Sequence, residues 1–143
     1  MEYSKERSED LMRAYDEYIA SCKFIKMADV YTHIVDMPSK RFWVSDIRAA
    51  LVVSAMMRGA IKFDSMCPTR KEMYQEIYKR VIKLRMIHPR KTILELTSMV
   101  VTQPAPKFYL ASGSAKIMVC KARKEWMRRK RQKLQHLLSQ QQS

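Results

Sequence analysis

Two glycines in 143 residues, Gly59 and Gly113, narrow the folds open to this chain more than any other feature. Tight hairpin turns and phosphate-cradling loops both need backbone at positive φ, which glycine reaches without steric cost. A chain so short of it cannot turn through many β-hairpins, and no glycine-rich nucleotide loop can be assembled from it. Helix interiors have no such need. With 47% of its residues apolar the chain can bury a core, and its length suits one domain. The expected fold is all-α: a single domain of five or six helices over residues 1–138, followed by a frayed polar tail at 139–143.

Local signals place the helices. Ser8 is the expected cap of a first helix running into the twenties, with Glu9 and Asp10 in its first turn and Leu11, Tyr15, Tyr18 and Ile19 on one face. A short piece follows around Ala28–Val35, closed by Met37-Pro38. Ser45 caps the next helix, and Gly59 stands where a left-handed C-terminal residue belongs. Between them, Ala49 to Met57 is apolar nearly all round, the pattern of a helix enclosed by others, so it is expected as the central rod. Thr69 with Glu72, and Thr92 with Glu95, have the spacing of capping boxes for two further helices, ended by His88-Pro89 and Pro104. Residues 104–110 hold two alternate prolines and must be extended, with Phe108 and Leu110 as anchors and a brief pairing with Ile61-Lys62-Phe63 as one option.

Charge is distributed unevenly. The net charge is +14; residues 1–30 hold five bases and seven acids, whereas residues 104–143 hold ten bases and one acid, Glu125. A chain polarised in this way attracts polyanions at its basic end. That end is a long basic last helix over about 114–138, capped by Ser112 or Ser114. Ala115, Met118, Val119, Ala122 and Trp126 fall within an arc of about 100° and form its core-facing stripe. Lys121, Lys124, Arg128 and Arg131 lie opposite, with Lys116, Arg123, Arg129 and Lys130 as secondary contacts. After Trp126 the stripe itself turns basic, because Arg129 and Lys133 rotate onto it, so the first three turns are expected to pack on the body and the turns beyond are not. From 121 to 133 there are eight bases against one acid.

A helix about 10–12 Å wide fits a B-DNA major groove about 12 Å wide, and its cations release counterions from phosphates. The expected function is therefore nucleic-acid binding, duplex DNA favoured over RNA, through a helix-turn-helix-like C-terminal part. Its connector of roughly ten residues is longer than the three or four that motif uses. The alternative is a structural or assembly protein, such as a virion component, whose basic helix docks on an acidic protein partner or packaged nucleic acid; homo-oligomers fit that reading too.

Other chemistries find little footing. Lys40-Arg41-Phe42-Trp43 and Lys107-Phe108-Tyr109 offer aromatic rings beside cations, either as base-stacking platforms or as core anchors. His33, His88 and His136 are scattered and no Cys-x-x-Cys pair exists; distant convergence, of Cys67 and His88 for example, is what a zinc site would require. Neither metal nor cofactor is expected, and no nucleophile–base pair or paired carboxylates support an enzyme. No apolar run reaches membrane-spanning length, the polar start lacks a signal-peptide core, and three widely spaced cysteines suit a reducing, cytoplasmic setting.

The run Lys40-Arg41-Phe42-Trp43-Val44-Ser45, then Met73-Tyr74-Gln75-Glu76-Ile77-Tyr78 and Pro104-Ala105-Pro106-Lys107-Phe108-Tyr109-Leu110, resembles segments of small uncharacterised basic proteins of gut bacteria and their phages. The resemblance covers about residues 40–126 and carries no functional residue. It implies context: an intracellular, phage-associated or mobile-element-associated protein, with regulation or packaging as the corresponding roles.

Overall fold

The computed structural model describes residues 3–60 and 66–141, and among them every regular element is helical. In order these are α1 (Ser4–Ser21), α2 (Met27–Val35), α3 (Asp46–Met57), α4 (Pro68–Ile87), α5 (Ile93–Val101) and α6 (Ser112–Gln141). The fold is all-α with six helices and a long basic last one, as expected. The pairing suggested for Ile61–Phe63 lies outside the described residues.

The helices form two groups, each around its own apolar cluster. α3, α4 and α5 pack together, with Val53, Ile77, Val81, Leu96 and Val100 buried between them. α1, α2 and α6 form the second group, around Leu11, Val30, Ile34, Ala115 and Val119. This grouping replaces the helix-turn-helix-like pairing of the last two helices. α5 lies against α3 and α4, while the connector over 102–111 carries the chain across to α1 and α2, where α6 packs. A connector of that length lets consecutive helices part company.

Two extended segments, 36–45 and 102–111, stitch the groups together. Ser39 and Ala105 exchange both backbone hydrogen bonds, at 3.0 and 3.1 Å. Neighbouring side chains in these segments go to different clusters. Phe42 enters the α3–α4–α5 cluster while Trp43 packs on the other; Phe108 joins α1, α2 and α6 while Tyr109 turns back to stack on Phe42, ring centroids 6.0 Å apart. Tyr109 does this at φ 55°, a left-handed conformation costing an aromatic residue on the order of 1–3 kcal/mol. Packing on both sides holds it there, and burial pushes its phenol up to about 12.

Asp10 ties α1 to the first of these segments. Only 1% exposed, its carboxylate accepts the Lys40 backbone N–H at 2.8 Å and Trp43 Nε1–H at 3.1 Å. Arg13 supplies two further donors, at 2.9 and 2.8 Å, and reaches on to the Pro38 carbonyl. A buried carboxylate with four donors is satisfied; with any fewer it would be costly.

Several helix ends differ from expectation. α1 starts one turn before Ser8, because Tyr3 is held against Trp43 and beneath the Arg41 guanidinium, 4.5 Å from its ring centroid, which fixes the preceding turn. α4 starts at Pro68, with Cys67 in the capping position and no side-chain cap, so Thr69 falls inside the helix. Proline's fixed φ suits the first helical position, and it takes precedence over the Thr69 box. Thr92 does cap α5, accepting from Glu95 N–H at 3.2 Å; Ser45 caps α3 through Arg48 N–H; and Gly59 has the expected positive φ of 65°. α3 is not the central rod. Ala49, Ala50 and Val53 are buried, but Ile47 and Leu51 are 64% and 67% exposed; among the described helices it packs against α4 and α5.

Candidate nucleic-acid interface

α6 is 30 residues long, roughly 45 Å at 1.5 Å per residue. Its first backbone bond runs from Ala115 N–H to the Ala111 carbonyl, so Ala111 rather than Ser112 or Ser114 heads it. Residues 139–141 continue the helix instead of fraying; Ser139 Oγ donates to the Gln135 carbonyl. The first turns are built into the body, where Ala115 and Val119 are fully buried and Met118 packs beside them.

Two contacts set the level at which the body ends. Cys120 Sγ lies 4.0 Å from the Tyr31 hydroxyl, and Arg123 Nη1 donates to the Tyr15 hydroxyl at 3.2 Å. From Tyr15, α1 has six residues left before it stops at Ser21, whereas α6 runs eighteen beyond Arg123 to Gln141. The last three or so turns of α6 therefore project past the α1–α2 turn. Trp126, read from the sequence as the final member of the core stripe, is 60% exposed, so the stripe leaves the core there.

All eight expected contact residues are exposed: Lys116, Lys121, Arg123, Lys124, Arg128, Arg129, Lys130 and Arg131, with Arg123 where the helix meets the body and Arg129 and Lys130 beside Trp126. They are not equally available. Glu125 accepts from Arg128 Nη2 at 2.7 Å and lies 3.3 Å from Arg129 Nε, and the Arg128 hydrogen bond holds its carboxyl below the usual carboxylate range. Arg123 is docked on Tyr15, its guanidinium 5.8 Å from the ring centroid. Lys130 sits over Trp126 at 4.8 Å. Among the described residues no carboxylate pairs with Lys116, Lys121, Lys124 or Arg131.

Lys121, Lys124, Arg128 and Arg131 share one side of the rod, within an arc of about 80° and over about 15 Å of its length. Duplex DNA presents one charge per roughly 1.7 Å of axis, so such a ridge can span several phosphates. Lys133, exposed on the same arm, lies on the opposite face from this ridge, beside Trp126, Arg129 and Lys130, as expected of the residues that turn the stripe basic.

The other candidates serve the fold. Phe42, Phe108 and Tyr109 are buried, so their rings are closed to bases; Trp43 Nε1–H is committed to Asp10, and Lys107 pairs with Glu72. Cys67 and His88 flank opposite ends of α4, roughly 30 Å apart, and cannot share a metal. His33 stacks on Tyr18, and the three cysteines are free. Among the described residues no group of three His, Cys, Asp or Glu side chains is placed to hold a metal ion, and no helix is long and apolar enough to cross a membrane. What the sequence reading missed is Asp10, taken as a first-turn acid, since its partners lie some thirty residues away.

Comparison with models of protein families, with curated proteins and with solved structures found no match.

Proposed function

We propose that this chain binds nucleic acid, duplex DNA in preference to RNA, through the outward basic ridge of α6. The observation that carries the reading is the ridge itself: Lys121, Lys124, Arg128 and Arg131 aligned on the solvent side of a helix that projects from the body. Lys116, Arg129 and Lys130 extend the cationic field along the same rod; Arg123, held by Tyr15, orients it. A free helical rod suits a major groove in width, and most of its lysines and arginines meet phosphates without first breaking into a carboxylate network. Duplex is favoured over single strand because Phe42, Phe108 and Tyr109 are buried and Trp43 is tied to Asp10, leaving among the described residues no row of aromatics beside those cations on which unpaired bases could stack.

Binding of this kind is dominated by counterion release. Titration of a short duplex at several salt concentrations is expected to give a linear fall of log K with log salt. Replacing Lys121, Lys124, Arg128 and Arg131 by Ala should lower that slope by about 0.9 for each phosphate no longer neutralised. An unchanged slope in the folded variant removes the ridge from the interface. Competition by single-stranded RNA at equal salt, if it outpaced duplex DNA, would reverse the preference.

A further inference from the structure

The α3–α4–α5 group carries a second concentration of positive charge. From Ile77 to Leu94 the chain holds six bases, Lys79, Arg80, Lys83, Arg85, Arg90 and Lys91, and no acid. Glu76, which pairs with Arg80, and Glu95 flank the run. Apart from Arg80 these bases are exposed, and among the described residues no carboxylate pairs with them. Lys79 and Lys83 are one turn apart on the solvent side of α4, and Arg90 and Lys91 stand in the α4–α5 turn beyond them. Arg85 and Lys91 rest on the thioethers of Met57 and Met99.

The directions of the elements fix where this pole stands. α1 runs antiparallel to the segment over 36–45, Tyr3 meeting Trp43 and Arg13 meeting Pro38. That segment is antiparallel to the connector over 102–111, through Ser39 with Ala105 and Phe42 with Val101. The connector is antiparallel to α4, since Arg80 donates to the Pro104 carbonyl while Lys107 pairs with Glu72. α4 therefore runs opposite to α1. α6 runs with α1 and projects past its last turn. The basic arm and the basic α4–α5 turn thus leave the body in opposite directions.

We infer that the α4–α5 pole is a second phosphate-binding surface, so that one chain holds two duplexes, one on the α6 ridge and one on the pole. This bridging rests on the nucleic-acid reading of α6. The unpaired bases call for a polyanion. A duplex suits them better than an anionic bilayer because the cations run back along α4, Lys79 standing about 12 Å behind Ile87. A flat bilayer seated on the turn would meet Arg90 and Lys91 and leave Lys79 a Debye length away. A duplex lying along α4 presents a charge about every 1.7 Å and meets them all. Met86 and Ile87, exposed among these cations, are the side chains a bilayer would take up, so vesicles are the competing probe.

The test is capture of one duplex by another. Beads carrying an unlabelled duplex of about 12 base pairs, roughly 40 Å long, are mixed with the full chain and a labelled duplex of the same sequence. Labelled duplex is expected on the beads, rising with protein and falling again once every duplex has its own chain. K79Q/K83Q/R90Q/K91Q, at exposed positions, should cut capture more than about 10-fold and leave affinity for a single duplex within about threefold, circular dichroism unchanged. K5Q/K23Q/K26Q/R48Q removes the same charge elsewhere and should keep capture within about twofold. A parent that binds one duplex and captures no second overturns the bridge alone; a parent that binds no duplex overturns the α6 reading with it. Capture undiminished in the pole variant, or equally diminished in the control, also overturns the bridge. So does a pole variant that loses affinity for a single duplex in step with capture, which would place both surfaces on one duplex. Phosphatidylglycerol vesicles that bind the parent and not the pole variant, with no duplex captured, would give the pole to a membrane instead.

Discussion

The two halves of α6 are one continuous helix in two different solvents. From Ser112 to about Arg123 the helix lies against α1 and α2; its last three or so turns stand clear of them, and there Arg129 and Lys133 take positions on the face that Ala115, Val119 and Trp126 hold lower down. Both the reach of the neighbours and the pattern of the sequence differ. An apolar stripe becomes core where another element reaches it and becomes a surface where none does.

The largest effect that could break this contrast comes from placing the same charge in each half. Val119→Asp puts an unpaired carboxylate where no water reaches and is expected to cost about 4 kcal/mol or more. Leu134→Asp, in the projecting half, should stay within about 0.5 kcal/mol in dilute protein. Denaturant titration of both variants decides it; comparable losses would mean that the arm is packed in solution.

Next in size is the tie between α1 and the first extended segment. Asp10→Ala leaves the Trp43 and Lys40 N–H groups and the Arg13 guanidinium without their acceptor, and is expected to cost about 3 kcal/mol. This change would loosen the group of helices that holds α6 and leave its cations in place. A drop in stability under about 1 kcal/mol would show that Asp10 is dispensable to that group.

The Tyr109 phenol, raised to about 12 by burial, gives a smaller alkaline signature. Its folded-state value lies above the ordinary 10, so its contribution is complete below pH 10. It is lost between pH 10 and 12, as the unfolded chain ionises and the folded chain does not. The stability of the parent relative to Tyr109→Phe should fall by about 1–2 kcal/mol across that window, read from denaturation midpoints of the two proteins. A constant difference would place the ring in water.

The smallest effect separates the two threonines of matching spacing. Thr92→Ala removes an observed cap and should cost about 1 kcal/mol. Thr69→Ala removes none and should cost less than half of that, thermal unfolding being sensitive enough to tell. Equal losses would restore the Thr69 box.

Much was legible before any coordinates. Scarce glycine, apolar periodicity and the Ser45, Thr92 and Gly59 signals act within a turn or two of backbone, so the helical class and several helix ends could be read directly. The basic ridge was legible for the same reason: side chains at 100° steps share a face whatever surrounds the helix. Where local rules met, at Pro68 against Thr69, two short-range preferences competed and the pattern alone did not rank them. Nothing local could show that Asp10 would be buried, that α3 would be covered on one side, or that α5 and α6 would part. The sequence by itself determined helices, their faces and the cationic run, because those follow from covalent spacing. Which faces of the other helices were covered only the tertiary structure decided, because burial depends on how far a neighbour extends and the neighbours are distant in the chain.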